Sequence, residues 1–260
     1  MDSTTYKFYH IHGMDCRNYM DLYFSNKEDM IFGDDSLKFP MAHFHYQLSS
    51  GRIVGTILMD ISVGSVLHQL FSASNYFKEI LVLKFNEKCI MELTRWLHDR
   101  TGAFDWTHAS SAAVELEGKR DQFHEKEMQL RSSIKQILKC DFKRENITAP
   151  VDLPLADCII SMFLLESISK NEDEYMKNLE KILKLLKPGG KLLLVGSLET
   201  THVTVGKERL HRLKLNELGV KNALCKLGLV VDYCAVQKRR NVSDLTDYGA
   251  AIFIVACKGK

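Results

Sequence analysis

An α/β fold built on an open, doubly wound sheet is predicted from Thr56 onward, and three observations carry the prediction. Short apolar runs alternate with stretches of helical period along most of the chain. One of those runs, Ile57-Leu-Met-Asp60, ends in a small-residue turn, Ser62-Val-Gly-Ser65, after which a helix opens at Val66. The last two apolar runs, 229–237 and 250–258, are joined by a polar loop, which favours an antiparallel hairpin at the edge of a mostly parallel sheet.

The elements follow in order. Residues 1–50 are rich in aromatic residues and histidine, lack strand alternation, and read as helices and loops forming a cap, with Pro40 starting or breaking a helix. A strand over 57–61 precedes a helix over 65–74. A second strand, 79–84, precedes a helix over 87–99 whose apolar face is Ile90, Leu93, Trp96 and Leu97. A charged helix is expected over 118–138, with Met128, Leu130, Ile134, Ile137 and Leu138 as its stripe. Leu155–Ser161 reads as a buried strand. An amphipathic helix over 172–187 is stopped by Lys187-Pro-Gly-Gly190, and Lys191–Val195 is the next strand. A helix over 216–227 ends at Gly228, ahead of the hairpin. Ligand is expected beyond the carboxyl ends of the first strands.

Composition narrows the class. The chain is 45% hydrophobic and 26% charged. That is ordinary for a globular protein, and 260 residues are enough for a substantial core. A formal net charge of +2 makes no electrostatic case for nucleic acid or membrane. No apolar run approaches the length, roughly 20 residues, that spans a bilayer. The seven cysteines form no Cys-x-x-Cys pair, and their scatter through apolar segments argues for reduced thiols in the cytosol. His10, His12, His43 and His45 have no metal-site spacing beyond His-x-His, and no metal is expected.

Several local strings resemble the family of S-adenosylmethionine-dependent methyltransferases that includes the nicotinamide, phenylethanolamine and indolethylamine (thioether) enzymes. They are Asn18-Tyr19 with Tyr23-Phe24, Leu58-Met-Asp-Ile61 with His68-Gln-Leu70, and Phe77-Lys-Glu-Ile80. Further strings are Ala103-Phe-Asp-Trp106, Leu116-Glu-Gly118, Leu138-Lys-Cys-Asp141, Leu155-Ala-Asp-Cys158 and Leu185-Leu-Lys-Pro-Gly-Gly190. The resemblance implies a Rossmann-like, seven-stranded methyltransferase sheet. The chain is read as one domain over 1–260, with a helical cap over 1–50 and a core over 51–260. It also implies a small-molecule acceptor (an amine, a thioether or a heteroaromatic nitrogen), no nucleic acid or membrane partner, and a cytosolic monomer.

Carried over residue by residue, the resemblance places Tyr19 and Phe24 over S-adenosylmethionine, beside Tyr23; the same rings would equally serve to bury a helix. Ser62, Val63 and Gly64 form the turn at the cofactor's amino-acid tail, and His68 stands where a tyrosine hydroxyl is usual. Asp141 is expected to accept from the adenine amino group, or else to be a turn residue, with Phe142 as its backbone partner. Cys89 and Met162 replace polar positions around the adenosine. Glu166 and Thr200 fall on the acceptor side. No residue is assigned as catalytic, because the cofactor supplies its own leaving group.

The departures carry the second reading, a paralogue with a degraded cofactor site. Ser62 is strained if the turn requires a positive φ there, and the branch of Val63 crowds the tail. Lys84 stands where an acid usually accepts both ribose hydroxyls, and lysine has no acceptor. The loss is worth about 1.5–3 kcal/mol per charged hydrogen bond, unless Glu87 reaches back. Gly196 replaces an acid that holds the acceptor's polar group, which favours an uncharged thioether, selenoether or simple heteroaromatic unless Glu166 takes over that contact.

Overall fold

A computed structural model describes residues 6–25, 33–240 and 242–259. The parts of the expected cap at 1–5 and 26–32 lie outside the described residues. The chain begins with two short helices, α1 (Tyr9–His12) and α2 (Cys16–Tyr23), the latter capped by Asp15, whose side chain accepts from Asn18 N. A π-helical turn over Gly33–Lys38 leads into α3 (Phe39–Ser49), with Pro40 in its first turn, where a missing N–H costs nothing.

The alternation then runs as expected: β1 (Ile57–Asp60), α4 (His68–Ala73), β2 (Glu79–Lys84) and α5 (Glu87–Leu97). The single charged helix expected over 118–138 is instead the end of one unit and the start of another. Helices α6 (Thr107–Leu116) and α7 (Phe123–Ser133) flank a turn at Gly118, and Ile134–Lys139 is strand β3. Met128 is exposed, whereas the Ile134, Ile137 and Leu138 stripe pairs parallel with β2, Val82 opposite Ile137 and Leu83 opposite Leu138. The charged flanks gave these apolar residues a helical period, but Ile134, Ile137 and Leu138 belong to an edge strand.

The chain continues through β4 (Ala156–Met162), α8 (Leu165–Ile168), α9 (Glu172–Leu183) and β5 (Leu186–Leu198). Lys187-Pro-Gly-Gly190 therefore opens the strand rather than ending the helix, which stops a turn earlier. A small hairpin that the sequence did not signal, β6 (His202–Val205) and β7 (Glu208–His211), turns at Gly206. Then come α10 (Glu217–Lys226), β8 (Leu229–Lys238) and β9 (Ala250–Lys258).

The main sheet has seven strands in the order β3-β2-β1-β4-β5-β9-β8, parallel except for β9, which runs antiparallel to both β5 and β8. The order reverses between β1 and β4, the crevice where open α/β sheets bind ligands. Helices α1 and α2 close over the carboxyl ends of β1 and β2. Helix α3 departs from the expected cap: it packs on α4 and α6, and Phe44 meets Phe253 of β9 edge-on at 5.0 Å between ring centroids.

Candidate cofactor crevice and acceptor pocket

The turn after β1 is bound to β4 by the backbone: Ile61 N donates to Ile160 O at 2.8 Å and Val63 N to Met162 O at 3.0 Å. Gly64 carries the positive φ, 59°, and Ser62 does not. The strain expected at Ser62 is therefore absent. Ser62 is instead structural. Its hydroxyl donates to Asp60 Oδ1 at 2.6 Å and accepts from Met162 N at 3.1 Å. Val63 and Met162 are wholly buried.

Lys84 does not face the crevice as a free cation. Its Nζ donates to Asp60 Oδ2 at 3.0 Å and to Ser62 O at 2.9 Å, with both side chains of the ion pair shut off from solvent. Gln69, which sequence reasoning missed, donates to Asp60 Oδ1 at 2.9 Å. Asp60 thus accepts from Ser62, Gln69 and Lys84, a buried polar network that holds the turn from beneath. Glu87 does not compensate for Lys84: it pairs with Lys139 at 2.9 Å on the surface.

Above the turn sits a second missed residue. Gly64 N donates to the hydroxyl of Tyr9 at 3.2 Å, and Tyr9 is buried, its ring edge-on to Phe85 at 5.8 Å between centroids. Burial holds the Tyr9 phenol protonated, well above the ordinary tyrosine range. A Cβ on Gly64 would meet Met14 Cε at 3.1 Å and Tyr19 Cδ1 at 3.2 Å, so the cap lies directly against the turn. The cap is also tied covalently. Cys16 of α2 and Cys89 of α5 form a disulfide, which corrects the expectation that all seven cysteines are reduced. Docking of α2 on α5 brings their Cα atoms to 5.9 Å, a closeness that residues 73 apart do not advertise.

His68 lies in an aromatic cage, 5.2 Å from the Phe24 ring and 5.9 Å from Trp106, and burial lowers its pKa to about 3. Asp141 is half-exposed, and its Oδ1 accepts from Lys143 N at 2.9 Å, the turn role left open by the sequence. Phe142 packs on Phe85 at 5.1 Å between centroids, and its carbonyl accepts from Lys181 at 2.8 Å. An open groove of about 700 Å³ on the outer side of α1 is bordered by Phe85, Asn86, Glu87 and Lys88.

On the other side of Tyr19 is a small pocket of about 60 Å³, lined by Tyr19, Tyr23, Phe24, Phe163, Thr200 and Arg212 among others. Glu166, carried by α8, accepts from Ser197 N at 3.0 Å and Ser197 Oγ at 3.2 Å, and burial raises its pKa. A Cβ at Gly196 would lie 3.7 Å from Glu166 Oε1, so the Glu166 carboxylate stands beside the position where the resemblance leads one to expect an acid. Thr200 donates to Leu198 O at 3.2 Å. Arg212 was missed because Glu208-Arg-Leu-His-Arg-Leu-Lys214 reads as a solvated charge run; the residue is in fact 4% exposed.

A seven-stranded sheet of this order, with a glycine turn after β1 and a cap over the switch point, defines a class I S-adenosylmethionine-dependent methyltransferase fold. The chain belongs to the NNMT/PNMT/TEMT family, whose model matches residues 4–259. It is thus a member of a family of S-adenosylmethionine-dependent methyltransferases, with S-adenosylmethionine as the cofactor of the class. Indolethylamine N-methyltransferase of Mus musculus is 30% identical over 243 residues, 94% of this chain and 92% of that protein. Nicotinamide N-methyltransferase of Homo sapiens is 32% identical over 206 residues, 79% of this chain and 78% of that protein. Phenylethanolamine N-methyltransferase of Homo sapiens is 37% identical over 186 residues, 70% and 66% respectively. Among solved structures, magnesium protoporphyrin IX methyltransferase from Synechocystis with bound SAM aligns with a TM-score of 0.57 at 11% identity, covering 96% of this chain and 93% of that one. The N-methyltransferase NodS from Bradyrhizobium japonicum aligns with a TM-score of 0.53 at 11% identity, covering 94% and 97%. These two share the fold.

Two contacts at the centre of the crevice bear on how firmly S-adenosylmethionine is held. The donor at Gly64 that would meet the cofactor's carboxylate is bonded to Tyr9, and Lys84 presents no acceptor to a ribose diol.

Proposed function

We propose that this protein methylates a small molecule held in the pocket under Tyr19 and Tyr23, with a weakened hold on S-adenosylmethionine. The observation that carries the reading is the convergence of Tyr19, Phe24 and Thr200 on one pocket, with Glu166 behind it bonded to the lining residue Ser197, in a chain that matches its family model almost end to end. Tyr19, Phe24, Ser62, Val63, Gly64, His68, Asp141, Phe142 and Met162 are the proposed cofactor-side residues, and Glu166 and Thr200 the acceptor-side ones. Of these, Val63, His68 and Met162 act through packing and Ser62 through its bond to Asp60. The relatives' names point to amines and a heteroaromatic amide, indolethylamine, phenylethanolamine and nicotinamide.

A second reading, a paralogue that no longer turns over, is favoured by two contacts: Lys84 with Asp60, and Tyr9 with Gly64. Calorimetric titration with S-adenosylmethionine and S-adenosylhomocysteine, followed by a radiolabelled-methyl assay over amine, thioether and heteroaromatic acceptors, separates the two. Weak binding with turnover of one class is the expected result. Absence of binding at saturating cofactor would instead leave the second reading.

We read the chain as one domain, a monomer in the cytosol that acts on a small molecule and not on nucleic acid or membrane. The apolar cluster that runs from Tyr9 to Ala256 and the net charge of +2 support this. The Cys16–Cys89 pair bears against a reducing compartment, while five unpaired cysteines favour one. No described helix is long and apolar enough to cross a membrane.

A further inference from the structure

We propose that Arg212 sets the acceptor pocket for a small molecule carrying a carboxylate, a substrate class different from the amines and the amide in the relatives' names. The inference rests on the methyltransferase reading for the use of the pocket, and on the pocket's own chemistry for the class. Arg212 lines the cavity with its side chain almost wholly buried, yet its Nη1 has no hydrogen-bond partner among the described residues. A guanidinium has five donors, and a buried donor left unmade is costly, so an unpaired arm on a residue that lines a cavity marks a place where a ligand's acceptor belongs.

The backbone fixes Arg212 there. Its N donates to Thr201 O at 2.8 Å, and the next residue, Leu213, donates to Glu166 O at 2.7 Å. The arginine is thereby held along the pocket wall, beside Tyr19.

The other charges around the cavity direct the ligand's acid to this end. Glu166, the carboxylate that most nearly opposes Arg212, already accepts two hydrogen bonds from Ser197 through Oε1. Asp35, also on the pocket wall, accepts from Tyr248 at 2.6 Å and from Gln237, and repels a second anion beside it. The Tyr19, Tyr23, Phe24 and Phe163 rings between them leave room for a short apolar body. A cationic amine would place its charge against the guanidinium, and a neutral amide would leave the fork half-used.

The test compares three probes of one size, methylthioacetate, methylthioacetamide and methylthioethylamine, by calorimetry on the full chain without cofactor. The acid is expected to bind at least about tenfold tighter than the amide, with the amine weakest. In Arg212→Gln the preference of acid over amide should shrink to about twofold, while Arg212→Lys keeps part of it. The comparison on the native chain stands even if Arg212→Gln fails to fold. Equal or tighter binding of the amide or amine overturns the proposal. So does a preference that survives in folded Arg212→Gln, and so does no binding of any probe at about 10 mM. Binding of the acid with no methyl transfer to any amine, thioether or heteroaromatic acceptor in the presence of S-adenosylmethionine would instead overturn the methyltransferase reading and leave the assignment of Arg212 intact.

Discussion

Lys84 Nζ lies 3.0 Å from Asp60 Oδ2, and neither side chain reaches solvent. The lysine at the end of β2 is thus the counter-ion of the carboxylate at the end of β1. Its charge is spent on the turn that the cofactor would approach. This changes what its replacement should do.

Lys84→Met should destabilise the protein by about 3–5 kcal/mol, since Asp60 would keep its burial and lose its partner. Lys84→Asp should be worse, because two carboxylates would then face each other, and it should not simply restore ribose binding. Lys84→Met with Asp60→Asn should lose less than the two single changes summed. Urea unfolding of the four proteins, native included, checks this; a loss within about 0.5 kcal/mol for Lys84→Met would mean that the pair is not formed in solution.

Tyr9 should compete with the cofactor. Tyr9→Phe frees Gly64 N from its bond to the phenol. Losing that one hydrogen bond should cost about 0.5–1.5 kcal/mol of stability. Tyr9→Ala also clears the ring from beside Phe85. S-adenosylhomocysteine should bind more tightly to both variants, more so to Tyr9→Ala, by calorimetry at one temperature. Weaker binding in Tyr9→Ala would make Tyr9 part of the cofactor's wall.

The Cys16–Cys89 bond should staple the cap. Alkylation in denaturant is expected to modify five of the seven cysteines before reduction and all seven after it. Cys16→Ser with Cys89→Ser should cost about 2–4 kcal/mol, read as a fall in the urea midpoint. Seven reactive thiols in the protein as isolated from cells would show that the bond is not made there.

His68 should govern part of the acid limb of stability. Its pKa is about 3 in the folded state and near the ordinary 6.5 when unfolded, so the unfolded chain binds the extra proton between those values. Stability should therefore be unaffected by this group above about pH 6.5 and fall below it, by up to about 1.4 kcal/mol per pH unit until the folded group titrates. His68→Phe keeps an aromatic ring beside Phe24 and Trp106. It should flatten that slope in urea titrations from about pH 7 to about pH 4. An unchanged slope would assign the acid limb to other groups.

Strands β1, β2, β4, β5 and β9 were legible in the sequence because each is a local apolar run whose burial needs no distant information. The edge strand β8 was legible because its apolar run stands opposite β9 across a polar loop. Strand β3 and the β6–β7 hairpin were not: β3 follows a charged helix with no turn signal between them, and a short hairpin has no core of its own. The same division runs through the site. The family strings, the glycine turn and the unusual residues at 62, 84 and 196 could be read from their positions. Their contacts could not. Lys84 meets Asp60 across 24 residues, Tyr9 meets Gly64 across 55, and Cys16 meets Cys89 across 73. Arg212 looks like one more cation in a solvated run until β7 carries it to the pocket wall beside Glu166. Residue type and local period depend only on near neighbours along the chain. The destination of a buried charge or an orphaned donor depends on which segments the sheet order brings together, and that is decided by packing.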